Sequence, residues 1–268
     1  MRDAAGHRPR VLITRPLAQA GGLIDGVRKL GCRPIVLPCL TIETLPPPAP
    51  SAWSAALQGV AIFASRNAVE HAMRHERWPW PDTRVLAIGA ATAEALALGS
   101  RSVALVPRPP YDTEALLGQL DDLPSGHGLR VALAQGVTIV TGEGGRPLLG
   151  EQLRRRGLSV RRLELYRRRV ARTADDVVDT ALTPMPEVIS CTSDASLDAL
   201  LEIVEAGPDG AVRRGRLLAL PLVVNGDRCA AHARREGFIG PVLIARPAGD
   251  GGQLAALMRW LSGDVRPA

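Results

Sequence analysis

The 268 residues predict an α/β protein built as two parallel-sheet domains with helices on both faces, joined by a two-segment linker, the cleft between them being the default place for a site. Two observations carry this. The first is a tandem of strand-loop-helix units. Val60-Ala61-Ile62-Phe63 breaks at Ser65-Arg66-Asn67 and continues into a helical stretch through Ala68, Val69, Ala72 and Met73. Arg84-Val85-Leu86-Ala87-Ile88 then runs to Gly89, and Ala90 to Leu96 restarts a helix. The second is a mismatch of sizes. A single β-α-β unit occupies the first 40 residues, too little to close a domain, while a terminal α/β block lacks a partner. Residues 1–39 and 168–268 therefore form a discontinuous first domain, and 44–162 an inserted second one, with linkers around 38–43 and 163–169.

Residues 1–10 read as a basic lead-in, and Val11-Leu12-Ile13-Thr14 as a strand broken by Arg15-Pro16. A helix from about Leu17 to Leu30 presents Leu23, Val27 and Leu30 and stops at Gly31; Ile35-Val36-Leu37 is the next strand. From Pro38 to Pro50 the prolines make a stiff connection unfit for a helix or central strand, and Ala52–Leu57 follows it. After the tandem units, Val103–Val106 resembles a short strand, and Asp112 or Thr113 caps a helix carrying Leu116, Leu117 and Leu120. Arg130–Ala134 and Val137–Thr141 both read as strands separated by Gln135-Gly136, so the register there stays open. Gly142 to Arg146 opens a helix with Leu149 and Leu153, and Val160–Tyr166 is extended. Arg167–Val170 and Asp175-Asp176 start a helix through Leu182. Val188–Cys191 is a strand, and Leu197, Leu200, Leu201 and Val204 stripe its helix. Leu217–Val224 supplies strand material interrupted by Pro221; Cys229–Arg235 is helical, Val242–Ala245 a strand and Leu254–Leu261 the closing helix.

Composition narrows the function without naming it. Hydrophobic residues make up 46% and charged residues 22%, which is a folding composition. A formal charge of +6 favours an acidic partner. The densest basic groups, Arg154-Arg155-Arg156 and Arg167-Arg168-Arg169, read as solvated surface. Aromatics are only 3%, with the four tryptophans scattered, so a stacking platform for single-stranded nucleic acid is poorly supported. Cys32, Cys39, Cys191 and Cys229 lack metal-ligand spacing and read as reduced, buried thiols of a cytoplasmic protein. No signal-peptide run and no apolar stretch of membrane-spanning length is present, so no membrane partner is expected.

Several polar residues sit where strands give way to helices. Ser65 and Thr92 occupy equivalent crossings in the tandem units, as helix caps or as hydrogen-bond donors to a polar ligand. Ser193 marks a third, where Asp194 is the alternative cap. Gly142-Glu143-Gly144-Gly145 is an ordinary turn or brings backbone amides to anionic oxygens, with Arg146 to pair a carboxylate. It lacks the lysine and hydroxyl residue of a P-loop. Arg15 ends the first strand, either as a surface cation or as a carboxylate partner. Tyr166 offers a phenol for packing or for general-acid chemistry. His71 and His75, four apart, read as a polar helix face, and no histidine is readable beside Cys191.

The order of these motifs resembles the uroporphyrinogen-III synthase family over nearly the whole chain. The matching landmarks are Val11–Pro16, Ile62–Val69, Ala87–Ala93, Gly142–Arg146 and Leu163–Arg168. The resemblance implies a cofactor-independent, metal-free, monomeric enzyme of tetrapyrrole biosynthesis acting on hydroxymethylbilane, a linear tetrapyrrole with eight carboxylates. The family ejects the terminal hydroxyl, passes through a spirocyclic pyrrolenine and closes uroporphyrinogen III with ring D inverted. By the same resemblance Tyr166 assists loss of the hydroxyl, while Ser65, Thr92 and Ser193 bind the tetrapyrrole. Arg15, Gly144, Gly145 and Arg146 bind its carboxylates. Transient contact with the upstream enzyme that makes hydroxymethylbilane is a further expectation. Around Asn225–Cys229 the glycine- and threonine-rich helix entrance of some relatives is absent. Two other readings stand beside the synthase: a non-catalytic two-lobed binding protein for an acidic small molecule, and a basic nucleic-acid-binding protein.

Overall fold

Apolar runs of four residues dominate the strands because helices cover both of their faces. In the computed structural model the elements follow in order as β1 (Arg10–Ile13), α1 (Gly21–Lys29), β2 (Arg33–Val36), β3 (Leu40–Thr44), β4 (Val60–Phe63), α2 (Arg66–Ala72), β5 (Arg84–Ala87), α3 (Ala90–Leu98), α4 (Thr113–Asp121), α5 (Gly128–Gln135) and β6 (Val137–Gly142). They continue as α6 (Leu148–Arg155), β7 (Val160–Val170), α7 (Asp175–Leu182), β8 (Val188–Cys191), α8 (Asp194–Glu205), α9 (Gly210–Leu218), β9 (Leu222–Asn225), α10 (Gly226–Arg235), β10 (Val242–Ala245) and α11 (Asp250–Leu261). The structure describes residues 7–49, 53, 59–76, 78–80, 83–109, 111–207 and 209–264. Most of the lead-in and all of 52–57 except Trp53 lie outside them.

The chain divides into two compact units, residues 1–41 with 169–268, and residues 42–168. The first holds a five-stranded sheet in the order β10-β9-β8-β1-β2. Its neighbours pair in parallel. Alternation sorts the side chains: Leu12, Ile189, Leu222 and Val224 pack against α7, α8, α9 and α10, while Val11, Ile13, Val188 and Val223 pack against α1 and α11. Pro34 lies in β2, at the sheet edge, where a missing N–H breaks no ladder.

The second unit has the order β3-β7-β6-β4-β5. Strands β7, β6, β4 and β5 pair in parallel. Ala61, Phe63, Val140 and Leu163 share one face with α2 and α3; Val60, Ile62, Val137 and Ile139 share the other with α4, α5 and α6. Strand β3 runs against β7, since Leu45 N–H donates to Leu165 O at 3.0 Å and Ala171 N–H to Cys39 O at 2.9 Å. The chain leaves the first unit and returns to it within these two paired strands.

Several expectations are corrected. The stretch from Pro38 to Pro50 contains β3, because its prolines fall on either side of the strand: Pro38 precedes Leu40–Thr44 and the next proline is Pro46. Arg130–Ala134 is helical: Leu129, Ala132 and Leu133 form the buried stripe of α5, whereas Val131 is exposed. That settles β6 as the single strand at 137–142. Arg167–Val170 extends β7 rather than starting a helix. Leu217 belongs to α9, and the strand begins only after Pro221. Val103–Val106 contributes one isolated bridge, Leu86 to Leu105. Three of the four tryptophans gather in space: Trp80, buried, has Trp53, Phe63 and Trp78 each with ring centroids 5.5 Å away, while Trp260 lies in α11. Among the described residues no helix is long and apolar enough to cross a membrane.

Candidate functional site

In an open parallel sheet, two loops splay apart where the chain reverses its direction of strand addition, and the crevice they leave lies outside the carboxyl ends of the strands. The second unit has this switch between β4 and β6. Ser65 follows β4, and the Gly142–Arg146 loop follows β6. The first unit switches between β1 and β8, which are followed by Arg15 and Ser193.

Tyr166 lies on β7 beside the second of these loops, with Gly142 as its register partner. It is 1% exposed, and its hydroxyl is 2.8 Å from Ser65 Oγ. Arg168 Nη2 donates to the same oxygen at 2.8 Å. The arginine reaches it because residues two apart on a strand share a face, and its Cζ stands 5.2 Å from the Tyr166 ring centroid. His71 stacks on the ring with centroids 5.3 Å apart. Gly142 is required here: a Cβ on it would lie 2.7 Å from two ring carbons of Tyr166. Glu143 N–H donates to Tyr166 O at 2.7 Å, tying loop to strand.

Ser65 is the N-cap of α2, and its Oγ accepts from Ala68 N–H at 3.1 Å. Two hydroxyls carry two protons, and the bond between them uses one. Arg168 and Ala68 are donors and take none, so one hydroxyl proton remains for an outside acceptor. Tyr166 is buried and Ser65 half-buried, so the outward proton is that of Ser65, with Tyr166 donating to it.

Neutral imidazole completes the surroundings. Arg74 Nη1 donates to Thr44 Oγ1 at 2.9 Å, leaving the Thr44 hydroxyl proton for His71 Nδ1 at 3.1 Å. Burial first, then Arg74, pulls the His71 imidazole below its ordinary value, with Glu70 opposing. His71 is thus buried on Tyr166 and His75 stacks on Trp53 at 3.6 Å, where a polar helix face was expected.

Thr92 is buried in the first turn of α3, whose N-cap is Gly89, so it does not cap. Gly144 takes the turn at φ +67°, a conformation suited to glycine. Arg162 braces the loop through Gly145 O at 3.2 Å. Arg146 is exposed. Arg15 is already partnered, donating to Asp250 at the start of α11 and to Gln19 O. Ser193 rather than Asp194 caps α8, accepting from Ser196 N–H at 3.2 Å. Ser65, Tyr166 and the Gly142–Arg146 loop are therefore brought together, and Thr92 lies after β5 at the same edge of that sheet. Arg15 and Ser193 stand at the corresponding edge of the other unit's sheet.

Sequence reading missed Arg168, His71 and a polar network at the carboxyl ends of β8 and β9. Ser190 Oγ donates to Gln253 Oε1 at 2.8 Å, Gln253 Nε2 donates to Asn225 Oδ1 at 2.9 Å, and Asn225 Nδ2 donates to Thr192 O at 3.3 Å. The available signals were the Tyr-x-Arg spacing and a glutamine on the apolar stripe of α11. None of the cysteines suits nucleophilic use: all four are free and buried, and burial, reinforced by Cys191, pushes the Cys229 thiol up to about 12. Asp198, His232 and Glu236 bring metal-ligand atoms within 4.8 Å of one another, but Asp198 pairs with His232 and Arg214 faces Glu236.

Two sheets covered by helices on both faces, with hydroxyl, amide and arginine groups at their switch points and a buried tyrosine at one of them, define a doubly wound α/β protein. Residues 22–251 match the uroporphyrinogen-III synthase HemD family, and the chain belongs to that family. Among solved structures, a mutant uroporphyrinogen III synthase from the extremely thermophilic bacterium Thermus thermophilus is 21% identical, with 95% of this chain and 99% of that chain covered and a TM-score of 0.58. A uroporphyrinogen-III synthetase from Helicobacter pylori is 14% identical, with 95% and 100% covered and a TM-score of 0.62. At these identities the likeness is one of fold.

Proposed function

We propose that the protein cyclises hydroxymethylbilane to uroporphyrinogen III and water, and that the Ser65–Tyr166 pair delivers the proton that lets the terminal hydroxyl leave. The observation carrying the residue assignment is the 2.8 Å contact between two hydroxyls that together hold one unshared proton at a switch-point crevice. Ser65 hands that proton outward and is resupplied by Tyr166, whose oxygen Arg168 steadies as negative charge develops on it. The carbon freed of its hydroxyl is attacked by the substituted carbon of ring D. The resulting spirocyclic pyrrolenine opens and recloses with that ring inverted.

The substrate has eight carboxylates, and the groups proposed to hold them are the Gly144 and Gly145 amides, Arg146, Thr92, Arg15 and Ser193. Fixing a flexible chain so that its ends meet supplies much of the acceleration. The reaction needs neither a metal nor an organic cofactor from this set of residues. A cytoplasmic monomer in passing contact with the enzyme that supplies its substrate, without nucleic-acid or membrane partners, fits this reading.

The test is to give freshly made hydroxymethylbilane to purified, metal-free protein and to quantify type III against type I product. Dominant type III product is expected, lowered about 10²–10⁴-fold in a folded Tyr166→Phe variant. Type III formation unaffected by Tyr166→Phe removes the tyrosine from the mechanism. Type I alone at the uncatalysed rate overturns the synthase reading.

A further inference from the structure

The opposite edge of the first unit's sheet gathers charge that the reaction does not use. A cavity of about 910 Å³ opens there, lined by His7, Arg8, Arg10, Arg28, Arg33 and Pro184 among others. It lies at the amino ends of β1 and β2, whereas Arg15 and Ser193 follow the carboxyl ends of β1 and β8. The strand register places Arg10 directly beside Arg33. Two like charges on neighbouring strands repel, and a fold gains nothing from that pairing by itself.

The local carboxylates do not balance this charge. Asp25 is taken by Arg28 at 3.3 Å, and Glu187 by His7 at 3.0 Å and by the Arg10 backbone N–H at 3.1 Å. Neither Arg8 nor Arg33 has an ion-pair partner among the described residues. Arg10 is the built part of the site. It is 7% exposed, anchored by Nη2 to Ala181 O in the last turn of α7 at 3.2 Å, and its Nε is buried without a hydrogen-bond partner. An incompletely satisfied buried guanidinium is costly unless something else completes it. Burial and then Arg33 pull the Arg10 guanidinium below its ordinary value, against Glu187. A bound anion would reverse that pull.

We infer that this arginine-lined cavity is a binding site for a small oxyanion carrying two or more negative charges, separate from the residues assigned to catalysis. Guanidinium forks match phosphate and carboxylate oxygens alike, and the volume is that of an ordinary small-ligand site. A phosphate compound and a polycarboxylate are the two sources of this chemistry. The inference does not rest on the proposed reaction.

The experiment is calorimetric titration of the full chain with inorganic pyrophosphate and, separately, with citrate, at fixed ionic strength. Saturable binding is expected, weakened at least tenfold by Arg33→Ala and by Arg8→Ala, exposed positions whose loss leaves the fold intact, and unchanged by Arg155→Ala, an exposed arginine of α6 that belongs to neither site. Preference for pyrophosphate assigns the site to phosphate ligands, and preference for citrate to polycarboxylates. Heats that never saturate, or affinities indifferent to Arg33→Ala and Arg8→Ala, overturn the inference.

Discussion

Gly142→Ala tests the hydroxyl pair without touching either hydroxyl. The new methyl would stand 2.7 Å from two Tyr166 ring carbons. Carbon atoms rest about 3.5–4.0 Å apart, so the ring must retreat roughly 0.8–1.3 Å. His71 is stacked on it and it is 1% exposed, so no free volume receives that shift. A retreat of about 1 Å takes the 2.8 Å bonds to Ser65 and Arg168 out of hydrogen-bonding range. Overpacking costs about 1–3 kcal/mol, and loss of a bond to a charged donor about 1.5–3 kcal/mol. A displacement of this size at a reacting group costs on the order of 10² in rate. Urea denaturation and the yield of type III product read the two effects. A Gly142→Ala protein of unchanged stability that forms type III product within twofold of the parent rate would refute the reasoning.

The imidazole of His71 gives a pH dependence of known sign. Its value in the folded protein lies below the ordinary 6.5, so between the two the unfolded chain binds more protons. Stability therefore rises with pH across that window, is lost as pH falls below 6.5, and levels off beneath the folded value; denaturation of wild type and His71→Phe between about pH 5 and 7.5 checks this, with parallel curves counting against it. In α4, a side chain at Gly118 would meet nothing within 4 Å, and the residue is interior to the helix. Gly118→Ala is expected to stabilise by about 0.5–1 kcal/mol, read as a higher urea midpoint.

Local grammar was readable wherever the deciding contact lies within a turn of the chain. Ser65, Asp112 and Ser193 each precede a helix, and each side chain accepts from a backbone N–H three residues on. The α5 segment failed because Arg130–Ala134 is too short an apolar run for periodicity to separate strand from helix. Strand β3 failed because the prolines after Leu45 coloured the reading of residues before them. The surroundings of Tyr166 were out of reach for another reason. Ser65 lies 101 residues from it in sequence and meets it only through the pairing of β4, β6 and β7. Arg10 beside Arg33 is a product of register in the same way, and a list of basic residues does not contain it.

The discontinuity of the first unit sets an order on the ribosome. Residues 42–168 are contiguous, so that unit has all of its strands from β4 to β7 once its own segment has emerged. Strand β1 must wait for β8, which begins at Val188, roughly 150 residues after the first segment ends. At bacterial to eukaryotic elongation speeds that is about 7–30 s during which Arg10–Ile13, fully buried in the finished sheet, has only β2 for a neighbour. Nascent chains halted before Val188 should therefore bind chaperones through their first forty residues while the unit behind them is already folded.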